Sequence, residues 1–265
     1  MSNPKGIALI TGASSGIGAV YADRLARRGY DLVLVARDTA RMQQVADTIR
    51  QQANVAIEII AADLTQEAGL AQTEARLAQG DITLLINNAG MSLQGGLLDN
   101  GAAELTRIIA LNVTAPTRLA SVAGKAFAAK GSGAIINISS VLALAPEMFD
   151  GVYSGTKAYL LNLSQSMAVQ LKDKGVYVQA VLPGATRTEI WEKAGRDPND
   201  FPKDFLMEVD DLVDAALLGF DRREAITIPP LHDETQFAAM QQARAAMMPN
   251  LSKSQVAPRY RQASE

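Results

Sequence analysis

Thr11-Gly12-Ala13-Ser14-Ser15-Gly16-Ile17-Gly18 is the stretch that decides how the rest of the chain is read. An apolar run at residues 6–10 leads into it, and a helical pattern over residues 16–29 leads out. The glycines permit a tight turn and bring backbone N–H groups close to whatever lies above it. The helix N-terminus adds unpaired N–H donors and a partial positive charge. A strand, a Gly-rich turn and a helix in this order form a cradle for the pyrophosphate of a dinucleotide.

The same rhythm continues outward. Strand-like runs at 31–36, 55–61, 83–87, 134–139, 176–182 and 225–228 alternate with helical patterns at 39–52, 65–79, 102–130, 153–174 and 210–220. Thr65 is placed to cap the third helix. The strands are apolar on both faces, which predicts a parallel sheet covered by helices on both sides. The fold class is therefore α/β: a Rossmann-type doubly wound sheet of about seven strands in one domain over residues 1–248, with a polar tail at 249–265. Two connections after strand ends, 141–152 and 188–207, are long enough to carry a ligand site, the second as a lid.

Bulk properties exclude several function classes. The 265 residues carry a net charge of −3 with both signs interspersed, which gives no basis for nucleic-acid binding. Cysteine is absent, so disulfides, thiolate metal sites and a cysteine nucleophile are excluded, and the single histidine, His232, argues against a Ser-His-Asp triad and a histidine metal site. No apolar stretch reaches the roughly 18 residues of a membrane span, and the N-terminus lacks the pattern of a signal peptide. The expectation is a soluble cytoplasmic protein with no metal, no membrane and no nucleic-acid partner.

Further motifs lie beyond the turn: Asn87-Asn88-Ala89-Gly90, Asn112 within LNVTAP, Ser140 thirteen residues before Tyr153, Tyr153-Ser154-Gly155-Thr156-Lys157, and Pro183-Gly184 followed by Thr188. With the TGxxxGxG spacing of the opening turn, they resemble the single-domain branch of the short-chain dehydrogenase/reductase (SDR) family over residues 5–188. The resemblance implies an oxidoreductase that interconverts a ketone or aldehyde and an alcohol by hydride transfer. It implies a cofactor site made of Gly12, Ser14, Ser15, Gly16, Ile17, Gly18, Asp63, Leu64, Asn88, Ala89, Gly90, Pro183, Gly184, Thr186 and Thr188, with Tyr153 and Lys157 reaching the nicotinamide ribose. Asp63 would contact the adenine, and Asn88, Ala89 and Gly90 would lie against the adenosine. The family also forms homodimers or homotetramers through the helices corresponding to 102–130 and 153–174.

Cofactor choice rests on the end of the second strand. Relatives that prefer NAD(H) carry an acidic residue where this chain has Ala36, and Arg37 follows. A guanidinium in place of a carboxylate favours a 2′-phosphate, so NADP(H) is expected over NAD(H). For the chemistry, Tyr153 and Lys157 are four residues apart and share a helix face. A cation one turn away, together with the positive nicotinamide ring of the oxidised cofactor, would favour the phenolate of Tyr153, which could then act as general base or, protonated, as general acid. By resemblance, Ser140 holds the substrate oxygen, and Asn112 distorts its helix and holds a water of the proton relay.

Leu142, Met148, Phe149 and Trp191 are candidate lining residues of a largely apolar substrate pocket. Two alternatives compete. A 3-oxoacyl-[acyl-carrier-protein] reductase would need a basic surface for the acidic carrier, and none stands out. A non-catalytic NADP(H)-binding regulator would have lost Tyr153 or Lys157, and both are present.

Overall fold

The computed structural model describes residues 5–189, 197, 202 and 204–261. They fall into two compact units, Met1–Pro230 and Leu231–Glu265. The first holds seven strands: β1 (Ile7–Thr11), β2 (Asp31–Ala36), β3 (Ile57–Ala61), β4 (Ile82–Asn87), β5 (Gly133–Ile138), β6 (Val176–Val181) and β7 (Ile226–Thr227). They form one sheet in the order β3-β2-β1-β4-β5-β6-β7. Every neighbouring pair is parallel. The chain leaves β1 toward β2 and β3 on one side, then crosses back to β4. The C-terminal ends of β1 and β4 therefore border the switch point where such sheets bind ligands.

Helices α1 (Gly16–Arg27), α2 (Thr39–Arg50), α3 (Glu67–Leu77), α4 (Ala102–Ile109), α5 (Ala115–Lys130), α6 (Gly151–Leu171) and α7 (Val209–Asp221) complete this unit. Strand alternation divides the core in two. Ala8, Ile10, Leu34, Leu84, Ile86 and Ile136 pack with Tyr21 and Leu25 of α1, Met42 of α2 and Leu217 of α7. Leu9, Val33, Leu85 and Ile135 face Leu70 of α3, Leu119 and Phe127 of α5 and Met167 of α6. Both faces of the central strands are closed to water: Leu9, Ile10, Leu84, Leu85, Ile86, Ile135 and Ile136 are at most 1% exposed. Burial on this scale, worth about 1.5–3 kcal/mol per large side chain, is what holds the strand ends in fixed positions.

Three expectations are corrected. The third helix starts at Glu67, and Gln66 occupies its N-cap position. Thr65 is not the cap because its N–H and hydroxyl both donate to Asp63 Oδ1, at 2.9 and 2.7 Å. That side-chain turn holds the backbone out of the helix for two more residues. The third strand begins at Ile57, two residues later than the apolar run suggests. The single helix expected over 102–130 is interrupted by a π turn, Ala110–Thr114, where Ala115 N–H reaches back to Ala110 O, the distortion that the resemblance implied at Asn112.

The small residues of α5 also find a use inside the chain. Ala123 is fully buried, and a Cβ on Gly124 would sit 3.4 Å from Leu171 and 3.6 Å from Met167, both on α6. The second unit contains helix α8 (Glu234–Met247), capped by Asp233 through Thr235 N–H, with no buried residue. No helix among the described residues is long and apolar enough to cross a membrane. No group of three or more His, Asp or Glu side chains that could hold a metal ion occurs among them.

Candidate active site

The phosphate turn is held from below. Thr11, 1% exposed at the end of β1, accepts the N–H groups of Asn88 and Ala89 on its hydroxyl, each at 3.0 Å, and donates to Ile86 O at 3.2 Å. Asn88 Nδ2 donates to Thr11 O at 2.9 Å and Gly12 O at 3.3 Å. The Asn88 amide thus fastens the turn to the end of β4. Two glycines are required here. Gly12 sits at φ +68°, and a Cβ on Gly18 would lie 2.3 Å from Gly12 O. Ser15 occupies the N-cap of α1 without a side-chain cap bond, and the first turn has no acidic residue. Helix α2, by contrast, is capped by Asp38, which accepts Arg41 N–H. The α1 N-terminus is therefore a shallow cradle of uncapped N–H groups, and its residues fit a pyrophosphate.

The adenosine end is more open. Arg37 is exposed just beyond β2, where no acidic side chain ends the strand, while Leu64 is buried. Burial alone would raise the Asp63 carboxyl. The hydrogen bonds from Thr65, and then the nearby Arg37 and Arg107, outweigh it and hold Asp63 below the usual carboxylate range. A cavity of about 640 Å³ opens beside Asp63, bounded by Thr65, Gln66, Ala102, Ala103, Thr106, Arg107 and Ala110. At the other side of the turn, Thr188 lies 3.4 Å from where a Cβ on Gly16 would be. Pro183 is buried, its carbonyl accepts Val141 N–H at 2.9 Å, and the Thr186 hydroxyl donates to Gly184 O at 3.0 Å. Ser14, Ile17 and Ala89 are half-buried and Gly90 is exposed.

The catalytic candidates converge from four elements: the π turn, the end of β5, α6 and the loop after β4. Asn112, 2% exposed, accepts Met91 N–H at 2.9 Å and donates to Met91 O at 2.8 Å and Thr156 Oγ1 at 3.1 Å. The π turn aims its amide at these partners instead of along the helix. Asp150 caps α6 through the N–H groups of Val152 and Tyr153, which fixes the start of the helix carrying Tyr153 and Lys157. Lys157, 5% exposed, donates from Nζ to Ile138 O at 3.0 Å and lies 5.6 Å from the Tyr153 ring centre. A Cβ on Gly90 would sit 3.4 Å from both Lys157 Nζ and Asn112 Oδ1, so the glycine gives both groups room. Ser140, also buried, accepts Leu142 N–H at 3.2 Å, and its hydroxyl lies against that of Tyr153.

Burial pushes the Tyr153 hydroxyl up to about 12, partly opposed by the Ser140 hydroxyl. Burial also brings Lys157 down to about 8. In this environment Tyr153 is a protonated donor at neutral pH. Desolvation exceeds the Ser140 hydrogen bond, which favours the phenolate.

Around Tyr153, Phe149 packs edge to face with the ring at 6.0 Å between centres. Leu142 is partly exposed, whereas Met148 is 70% exposed. Trp191 and most of the lid expected at 188–207 lie outside the described residues. The base of that segment is a bridge between Thr186 and Met207, reinforced by Arg187 Nε to Glu208 Oε1 at 2.9 Å.

Sequence reasoning quoted Thr11 and Thr156 within their motifs but gave neither a role: Thr11 locks the turn and Thr156 positions Asn112. It missed a buried chain in which Asn87 Nδ2 donates to Asn137 Oδ1 at 2.9 Å and Asn137 Nδ2 to Ser164 Oγ at 2.8 Å. Polar residues inside otherwise apolar strands are the signal that could have found this chain.

Known proteins resemble this chain in sequence and in fold. The family model described as short chain dehydrogenase matches residues 6–199. The very-long-chain 3-oxoacyl-CoA reductase of Bos taurus is 36% identical over 210 residues, which are 74% of this chain and 66% of that protein. The chain spans between 60% and 68% of the length of the first curated relatives it matches. Among solved structures, a short-chain dehydrogenase from Sphingobium yanoikuyae in complex with NADPH is 52% identical with a TM-score of 0.94, over 97% of this chain and 100% of that one. A bulky-bulky ketone specific alcohol dehydrogenase from Comamonas testosteroni is 47% identical with a TM-score of 0.90, over 97% and 99%. With the match to its model over most of its length, this chain belongs to the short-chain dehydrogenase/reductase family of oxidoreductases.

Proposed function

We propose that the protein is an NADP(H)-dependent carbonyl reductase and alcohol dehydrogenase acting on apolar, bulky ketones and the corresponding secondary alcohols. The observation that carries this reading is the meeting of Ser140, Tyr153, Lys157 and Asn112 beside the end of the phosphate groove. Gly12, Gly16 and Gly18 with the uncapped α1 N-terminus would hold the pyrophosphate, and Arg37 the 2′-phosphate. When bound in its reduced form, the dinucleotide supplies the hydride.

The chain's own groups handle the oxygen. Ser140 donates a hydrogen bond to the substrate carbonyl and sets its distance from Tyr153. Tyr153, kept protonated by burial, would give its hydroxyl proton to the oxygen as the carbonyl becomes an alcohol. The Lys157 ammonium, within reach of the ring, steadies the phenolate that remains. Asn112 fixes Met91 and Thr156 and so positions the walls on either side of Lys157. Oxidation runs these proton movements in reverse. Phe149 beside Tyr153 supplies apolar contact for a bulky substituent, in keeping with the ketone preference named for the Comamonas testosteroni protein.

The test is oxidation of NADPH and NADH followed by absorbance over a panel of ketones graded in size and polarity. Faster turnover with NADPH on bulky apolar ketones supports the reading. Turnover confined to acyl thioesters would transfer support to the acyl reductase alternative.

A further inference from the structure

The cofactor site contains an arginine that no sequence motif pointed to. Arg107 lies on α4, across the cavity of about 640 Å³ from Asp63 and Thr65. Asp63 is the one acidic side chain among the described lining residues of that cavity, and its neighbours Ala103, Thr106 and Ala110 are small. A dinucleotide whose adenine lies against Asp63 would bring its 2′-phosphate to the same end of the groove as that carboxylate. A 2′-phosphate there meets an anion, and offsetting it needs more positive charge than a single exposed guanidinium supplies.

Three arginines stand at this end of the groove. Arg41, in the first turn of α2, is already engaged. Its Nη1 donates to both carboxylate oxygens of Glu189, at 2.8 and 2.7 Å, and its Nε faces Asp38 at 3.6 Å. Arg37 and Arg107 have no hydrogen bond from the guanidinium and no ion pair among the described residues, yet both stand near enough to Asp63 to hold its carboxyl down, Arg107 from the wall of the same cavity. We propose that Arg107 is a specificity-determining residue for the 2′-phosphate of NADP(H), forming with Arg37 a pair of arginines near Asp63. The inference deepens the cofactor reading given above and rests on it.

The test is the dissociation constant of NADPH and of NADH, read from cofactor fluorescence, for the parent chain, Arg107→Ala and Arg107→Lys. Arg107 is exposed and mid-helix, where alanine and lysine are both good helix formers, so all three proteins fold. The expected result is NADPH binding weakened by about 10-fold in Arg107→Ala, as for loss of a hydrogen bond between charged groups. NADH binding stays unchanged, and Arg107→Lys recovers part of the loss. Equal weakening of both cofactors, or none, overturns the inference. If the parent chain itself binds NADPH and NADH equally, the cofactor reading fails. If the parent prefers NADPH and Arg107→Ala keeps the full preference, only the role of Arg107 fails.

Discussion

The two ends of the proposed cofactor groove are built in opposite ways. At the catalytic end, Asn112, Ser140 and Lys157 are almost fully buried and tied to the backbone by short hydrogen bonds. At the adenosine end, Arg37 and Arg107 are exposed and bonded to nothing described. Burial makes the first end rigid and strongly perturbs its titratable groups, as the opposite shifts of Tyr153 and Lys157 show. Exposure leaves the second end adaptable and screened by salt. The comparison teaches that substitutions at the first end act nearly all-or-none, whereas those at the second end grade affinity.

Asn112→Ala gives the largest effect short of losing the proton donor. It removes three hydrogen bonds in a buried site and leaves the Met91 backbone groups and Thr156 without their partner. We expect a loss of stability of about 1–3 kcal/mol in denaturant titration and a fall in kcat of about 100-fold from misplacement of the reacting groups. A variant with full activity would break the view of the catalytic end as a single fastened unit. At the other end, Arg37→Ala should weaken NADPH by about 10-fold with NADH unaffected. That difference should shrink in about 1 M salt, where the screening length is about 3 Å. A loss that salt does not alter would contradict an exposed, screened contact.

The pH dependence is smaller but sharper. Lys157 titrates near 8, so kcat/KM for ketone reduction should fall as pH rises through that value, while Tyr153, near 12, keeps its proton. The fall is not unfolding, because the sign is opposite. Between about 8 and the ordinary lysine value of 10.5, the unfolded chain binds more protons at Lys157 than the folded one, so this group adds stability as pH rises. A flat profile up to pH 10 would show that the ammonium does not take part.

Much of this was legible in the sequence because it depends on spacing. The turn from Thr11 to Gly18 announces its glycines, and Tyr153 and Lys157 announce a shared helix face. The sheet follows from strands apolar on both faces. The rest depends on local competition that spacing does not record. Asp63 captures Thr65 and delays α3 by two residues. The break at Ala110–Thr114 was signalled only by the resemblance, through Asn112, because no glycine or proline lies within residues 102–114. Helix α8 escaped because it buries nothing and therefore shows no apolar stripe. Its signals are the Asp233 cap and a run of strong helix formers. Arg107 escaped because a charge in mid-helix reads as a solvated face until the fold sets it opposite Asp63. The upward shift of Tyr153 escaped because burial is a property of the folded chain.

The central claim is that Tyr153 is the proton donor at a site otherwise complete for binding. It is tested most directly by Tyr153→Phe, with ketone reduction and NADPH binding measured on the same preparation. The account predicts turnover lowered by about 100- to 10,000-fold with NADPH bound as tightly as by the parent chain. Turnover close to that of the parent would contradict it.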